Sequence, residues 1–527
     1  MPGRRSPSIG HGLSMRSILA LLLTVFSLCA AERPKLVVAI AIDQFRYDYL
    51  LRFRPEYKQG FDRLLTRGAV FTNARYEHFP TVTAVGHSTF LSGALPSISG
   101  IVGNDWFERE TGKVVTSVSD GSVKILGGSG DGGGASPNRL LVSTVGDELK
   151  MSDNSRSRVI GVSIKDRSAI LPAGHMANGA FWFDSRNGNF VSSTYYFPDL
   201  PGWASDFNSE HPADRYKGTE WMHHRFPAEA GEKLYRALPA SPFGNELIEA
   251  FAERAVEGEK LGQRDATDLL TVSFSSNDAV GHGVGPDAPE VHDISVRTDQ
   301  IIGKLFQFLD GKVGMQNVLV VLTADHGVAP LPEVNQARKM PGGRMPAGIV
   351  KDTVEAVLAK KYGPGDWITS PSEHSLYLNL DLIREKNLDR AAVNQTAADA
   401  ALSIPHVFRV YTREQLMTGA VQNDAVSRRV TNGFCVRRSA DVFILLEPYW
   451  MFGTHGTTHG TAFNYDAHVP VIFMGPGIKA GWFDENITVN DIAPTLATLL
   501  GIETPSGSVG RVLREVLDTG HSASHRL

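Results

Sequence analysis

A chain of 527 residues is too long for one small core, so one large domain with insertions, or two to three domains, is expected. With 42% hydrophobic and 21% charged residues the composition is that of an ordinary soluble globular protein, and a formal net charge of −5 argues against the basic footprint of a nucleic-acid binder. The chain has 2 cysteines, and the first lies in a leader read below, so an internal disulfide and a cysteine-rich zinc site are excluded.

The N-terminus stands apart. Arg4, Arg5 and Arg16 precede residues 18–30, a charge-free apolar run closing on Cys29-Ala30-Ala31. This predicts a signal peptide over 1–31, cleaved near Ala31, and export to the periplasm or the extracellular space. The run is too short to span a bilayer comfortably, so no stable membrane insertion is expected after cleavage. Leu28 is larger than the residue a lipoprotein site wants before Cys29, and Met15 is an alternative start. Losing the three arginines takes the net charge from −5 to −8, so an anionic substrate must be drawn in by a local site. Cys435 then remains alone, and any metal site must be built from His, Asp and Glu.

Residues 35–42 (KLVVAIAI) form a continuous apolar run rich in Val and Ile, which predicts a buried parallel strand, and it stops at Asp43. The design recurs. Residues 159–163 run into Lys165-Asp166-Arg167, 269–275 into Asp278 and His282, and 318–323 into Asp325-His326, while 471–474 follow His459. Polar groups gathered past the ends of apolar strands mark the carboxyl edge of an open sheet, where ligands bind. Helical stretches at 245–255 and 296–309 supply crossovers. The expected fold is α/β, a doubly wound, mostly parallel sheet with an inserted smaller α/β cap. The glycine-rich segment 127–137 is expected to hold no regular structure, and 182–243 to be irregular covering structure. The cap is expected over 341–433, with helices at 350–361 and 390–403 and strands at 375–380 and 407–411. The catalytic domain then comprises 32–340 and 434–527, closing with a helix at 491–500 and a frayed tail.

The stretch that organises the chain is EHFPTVTAVGHSTFLSGALPSISGIVGN, from Glu77 to Asn104. A helix is expected over 86–93, after a turn carrying Thr81 and Thr83. A hydroxyl at a helix start sits where unpaired backbone N–H groups and the helix dipole favour negative charge, so Thr83 is the candidate nucleophile. The simpler alternative is that Thr81 or Thr83 caps the helix. Asp278-x-x-x-His282 places two side chains on one helical face, and Asp325-His326 offers two ligands from one loop. With Asp43 and His459 they make a carboxylate and imidazole set large enough for two divalent ions, of a kind that suits zinc.

FPTVTAVGHSTFLSGALPSISGIVGNDW, SNDAVGHGVGP, TADHG and THGTAFNYDAHVPVIFMGPG together resemble the alkaline phosphatase superfamily, on its type I phosphodiesterase and nucleotide pyrophosphatase side. SIKDRSAILPAGH is similar to the Lys-x-Arg element of its bacterial phosphatases with a Thr nucleophile. The resemblance implies an alkaline phosphatase-like sheet and a site with two Zn²⁺: Asp278, His282 and His459 on one ion, and Asp43, Asp325, His326 and the Thr83 oxygen on the other. It implies that Asn104, 21 residues after Thr83, and the pair Lys165 and Arg167 contact the phosphoryl oxygens. Ser99 departs from the His that relatives often carry there, and His455, His468 and Asp287 match no ligand position.

Charge then separates the chemistries. Two zinc ions balance three aspartates and a Thr83 alkoxide, so Lys165 and Arg167 are surplus positive charge. That surplus fits a phosphate monoester better than a diester. The expectation is a zinc-dependent, monomeric alkaline phosphatase acting on small phosphate monoesters through a phosphothreonine. The alternative is a phosphodiesterase or nucleotide pyrophosphatase on the same site, with no need of the Lys-Arg pair. No Cys or Ser of the chain stands in the Cys/Ser-x-Pro-x-Arg setting of a sulfatase, and a silent phosphate or metal binder has no use for an intact nucleophile.

Overall fold

The computed structural model describes residue 3 and residues 33–128, 133–370 and 374–518; the expected signal peptide apart from residue 3, and nearly all of the expected frayed tail, lie outside them. Four strands carry the site: β1 (Leu36–Ile42), β2 (Val159–Ser163), β3 (Asp268–Phe274) and β4 (Val318–Thr323), all buried along their length. They pair in parallel in the order β4-β1-β3-β2 at the middle of an 11-stranded sheet. Val, Ile and Leu on both faces of each strand explain why the middle is parallel, since crossover helices cover both sides. Only Val471–Met474, Asn189–Ser193 and Gly133–Ala135 run against the common direction. The doubly wound, mostly parallel reading holds.

Two expectations for the insertions fail. Gly133–Ala135 is an edge strand, paired antiparallel with Ser119–Leu126. Glycines suit this edge because the backbones approach closely, and a Cβ on Gly134 would meet Val123. Within 182–243, expected to be irregular, Asn189–Ser193 is a strand of the main sheet, next to Gly179–Asp184, which ends inside that segment. Gly179–Asp184 is buried throughout because its aromatics pack under the helix Pro242–Glu259, with Phe181 and Phe251 at 5.3 Å. The expected crossover helices are present as Pro242–Glu259 and Pro289–Lys312, and the closing helix as Ile492–Leu500.

The inserted unit has its own sheet, in the order Ile368–Ser370, Ser375–Leu378, Val442–Leu446 and Val407–Thr412, under the helices Ile349–Tyr362 and Arg390–Leu402. Its central strand Val442–Leu446 lies past the expected boundary at 433. VFILL is apolar on both faces, and a strand of that kind takes the middle of a sheet. Trp367, Val354, Val393 and Ile444 form a core of their own. Another cluster joins Tyr377, Phe434 and Phe443 of this unit to Phe79, Val85 and Trp106 of the main body, so the insertion packs directly on the segment around Thr83.

Candidate active site

Thr83 opens α1 (Thr83–Ser92), a helix whose residues are all buried. Val82 is its N-cap and makes no side-chain cap, while Thr81 Oγ1 donates to the Thr461 carbonyl at 2.8 Å. Neither threonine is therefore spent on capping, and Thr83 Oγ1 lies 3.5 Å from His326 Nε2. The Ala84 N–H of the first turn donates to Asn104 Oδ1 at 2.8 Å, which ties Asn104 to the Thr83 end of the helix. Gly86 lets α1 press against the backbone of Asp325, which a Cβ would strike.

The remaining candidates come from the strand ends. Asp43 follows β1. Lys165 and Arg167 follow β2 at the start of α2 (Asp166–Ala173). Asp278 and His282 lie on α3 (Ser276–Val284), after β3. Asp325 and His326 follow β4, and His459 comes from the loop before Asn464–Ala467. All reach the same edge of the sheet.

The histidine tautomers follow from their partners, because a carbonyl can only accept. Nδ1 of His282 donates to Thr457 O at 2.8 Å, Nδ1 of His326 to Gly327 O at 3.0 Å and Nδ1 of His459 to Thr81 O at 2.9 Å. In the neutral rings each Nε2 is then a bare lone pair. Nε2 of His282 and His459 nevertheless stand 3.2 Å apart, with Asp278 Oδ1 at 3.2 and 3.6 Å from them. Acceptors facing one another at these distances are relieved by a shared positive charge, and their geometry suits a metal ion. His326 stacks on His459, ring centres 3.5 Å apart.

Electrostatics agree. Burial pushes His326 and His459 down to about 4, so both stay neutral, as metal ligands must be. Burial opposes protonation of His282 too, but Asp278 outweighs it and lifts the group. Burial and then Asp43 push Asp325 up to about 7. Burial also works against ionised Asp43 and Asp278, yet Lys165 first, with nearby histidines, holds both below the usual range. Asp325 Oδ2 is buried without a hydrogen-bond partner. Buried carboxylates this close call for positive charge among them, and the donor set fits a divalent metal of the zinc kind.

His326 Nε2 is 3.2 Å from Asp325 Oδ2, as the expected division has it, and also stands close to the other set. Asp278, His326 and His459 offer atoms within 4.8 Å of one another, and so do Asp43, Asp325 and His87. His87 was not foreseen. It sits one turn after Thr83 on the same face of α1, a spacing that could have revealed it. Its Nε2 donates to Asp43 Oδ1 at 3.0 Å, and its Nδ1 is buried without a partner. Ser273 Oγ donates to the same oxygen at 2.8 Å, and Gln44 joins the clusters, donating from its backbone to Asp325 and from its side chain to Asp278.

Lys165 Nζ lies between the clusters, 2.7 Å from Asp278 Oδ2 and 3.0 Å from Asp43 Oδ2. Burial disfavours its charge, but Asp278 and Asp43 more than compensate and raise it. The guanidinium of Arg167 is only 3.7 Å from Asp166, and its Nε is buried without a hydrogen-bond partner. The residues read as local structure do serve locally: His468 donates to Thr72 O, Asp287 pairs with Arg52 and Arg338, His455 contacts Thr454, and the Ser99 carbonyl accepts from Leu141.

Comparison with known proteins follows the same line. The family described as "Type I phosphodiesterase / nucleotide pyrophosphatase" matches residues 37–468. The chain is 38% identical over 517 residues to the protein named alkaline phosphatase PhoV of Synechococcus elongatus, covering 92% of this chain and 93% of the relative. It is 37% identical over 522 residues to alkaline phosphatase PafA of Elizabethkingia meningoseptica, covering 93% and 95%. A crystal structure of wild-type PafA superposes with a TM-score of 0.86 at 36% identity, covering 93% of this chain and 100% of that one.

Proposed function

Because the chain belongs to the type I phosphodiesterase and nucleotide pyrophosphatase family, we propose that it is an alkaline phosphatase that hydrolyses phosphate monoesters through a phospho-Thr83 intermediate. The relatives named alkaline phosphatases over nine-tenths of its length support that reading. The single observation that carries it is the bare Thr83 hydroxyl at a helix start, 3.5 Å from His326 and beside two carboxylate-imidazole clusters.

Asp278, His282 and His459 would hold one zinc ion, and Asp43, Asp325 and His326 the other, with Thr83 Oγ1 beside the second. When bound, the metals lower the pKa of the nucleophile and offset charge on the leaving oxygen. Thr83 gives its hydroxyl proton to water and attacks phosphorus, the ester bond opposite breaks, and the leaving alkoxide takes a proton back from water. Asn104 stays fixed by its bond to Ala84 N and offers its amide N–H to a phosphoryl oxygen. Lys165 and Arg167 meet the remaining charge, which is spread over the equatorial oxygens of the transition state. Attack of water on phospho-Thr83 then frees phosphate and restores the hydroxyl.

A phosphodiesterase would keep the same clusters, but it would gain little from Arg167, whose Nε is buried without a partner, and this favours the monoester. Metal analysis of purified protein, with kcat/KM on an aryl phosphate and the matching bis-aryl phosphate, tests the reading. Bound zinc and a higher value on the monoester are expected; a higher value on the diester overturns it. No helix among the described residues is long and apolar enough to cross a membrane. Export by the 1–31 leader and a monomeric state complete the proposal.

A further inference from the structure

Beside Asn104, where the inserted unit meets the main body, lies a cavity of about 240 Å³. Phe79 and Trp106 wall it from the main body, Tyr377 and Phe443 from the central strands of the insertion. The four rings are almost wholly buried, and each is fixed. Tyr377 donates its hydroxyl to Arg438 O at 2.8 Å, Phe79 and Phe443 meet edge to face at 6.4 Å, and Trp106 lies 5.2 Å from the Arg438 guanidinium. Arg438 is itself held by the carbonyls of Gly100 and Arg139, each at 2.6 Å. Pro80 and Val82, directly before Thr83, complete the wall on the nucleophile side.

Two properties select the occupant. The described lining contains neither Lys nor Arg, it includes Asp105, and burial lowers the pKa of the lining His374 and keeps that ring neutral, so a second anionic group would find no cationic partner. Aromatic side chains contributed by both units favour a ring as occupant, which gains edge or face contacts beyond its buried area. Asn104 is part of the same wall, so a ring esterified to a phosphoryl group held at Asn104 reaches the cavity.

We propose that this cavity is a subsite for an uncharged aromatic group carried by the phosphate ester, and that the inserted unit thereby selects substrate. The proposal rests on the phosphatase reading and deepens it. The ring is either the leaving group of a monoester or the second substituent of a diester, and the shared chemistry is aryl recognition.

The test compares Tyr377→Ala and Trp106→Phe with the native enzyme on two matched pairs: 2-naphthyl against methyl phosphate, and 2-naphthyl 4-nitrophenyl against methyl 4-nitrophenyl phosphate. In Tyr377→Ala the naphthyl-to-methyl ratio of kcat/KM is expected to fall about tenfold. A fall within the monoester pair assigns the ring to the leaving group, and a fall confined to the diester pair assigns it to the second substituent. A change below about twofold in both pairs overturns the proposal. Titration of the zinc-loaded native protein with 2-naphthylphosphonate and methylphosphonate needs no variant to fold. The naphthyl compound is expected to bind about tenfold more tightly and to quench tryptophan fluorescence, with the quench reduced in Trp106→Phe. Equal affinity for the two phosphonates overturns the subsite. If no ester releases product, the phosphatase reading fails, while the phosphonate titration still decides the cavity.

Discussion

The two ligand clusters look alike in composition and differ in access. At the outer one His282 is 38% exposed beside Asp278 at 8% and His459 at 7%, whereas in the inner one Asp43, His87 and Asp325 are each at 0%. The outer groups hang on α3 and a surface loop and can exchange what they hold with solvent. The inner groups sit beneath α1, wedged between the ends of β1 and β4, and are oriented by other side chains: His87 and Ser273 on Asp43, Gln44 on Asp325. Thr83 opens the helix that seals the inner cluster. The inner site is therefore the more tightly held of the two, and the outer site the more open to solvent.

The largest effect is expected from Thr83→Ala. Turnover on an aryl phosphate should fall about a thousandfold or more, with metal content unchanged, since the carboxylates and imidazoles remain. Loss of zinc together with turnover, measured by elemental analysis, would show that the hydroxyl holds the inner cluster together.

His87→Ala sharpens the comparison between the clusters. Removing the donor from a buried carboxylate should cost about 10-fold to 100-fold in metal affinity or activity, and excess zinc should restore part of it. His282→Ala, in the half-open outer cluster, should be rescued by zinc at least as readily. If His87→Ala changes neither zinc affinity nor rate, the inner framework contributes nothing beyond packing.

Lys165 spans both clusters, so its effect is smaller and selective. Lys165→Ala should lower kcat/KM for a monoester about tenfold more than for the matching diester, the scale of one charge-assisted hydrogen bond. Equal losses would place Lys165 as a structural tie between Asp43 and Asp278 rather than a substrate contact.

Much of this edge was legible in the chain, because apolar runs that end in Asp or Asp-His announce buried strands and the polar groups beyond them. Asp43, Asp278 and Asp325 all follow that rule. His87 escaped because it lies inside a helix of small and apolar residues, where a histidine reads as packing until its distance from Thr83 is counted. Gln44 escaped because its role depends on a left-handed backbone, φ 60°, that directs its N–H at Asp325. The strand Val442–Leu446 was missed for a different reason: an apolar run does not say which sheet it joins, and only pairing with Ser375–Leu378 and Val407–Thr412 decides it.

Glu249 supplies the smallest effect and isolates what burial alone does to a carboxylate. It is 2% exposed on the helix Pro242–Glu259, far in sequence from any ligand, with Lys304 Nζ at 2.7 Å and one oxygen buried without a hydrogen-bond partner. Burial and then Glu253 push it up from 4.5 to about 8. A carboxyl raised on folding binds its proton more tightly in the native state, so its penalty is absent below the unfolded value, grows as pH rises and is complete above about 8. Glu249→Gln removes the penalty. Melting temperature should be unchanged at about pH 4.5 and higher by about 2 °C at pH 9. The exposed ammonium of Lys304 takes little from that gain, since ion pairs with a solvated partner are weak. A lower melting temperature at pH 9 with little change at pH 4.5 would show that the pair with Lys304 outweighs burial.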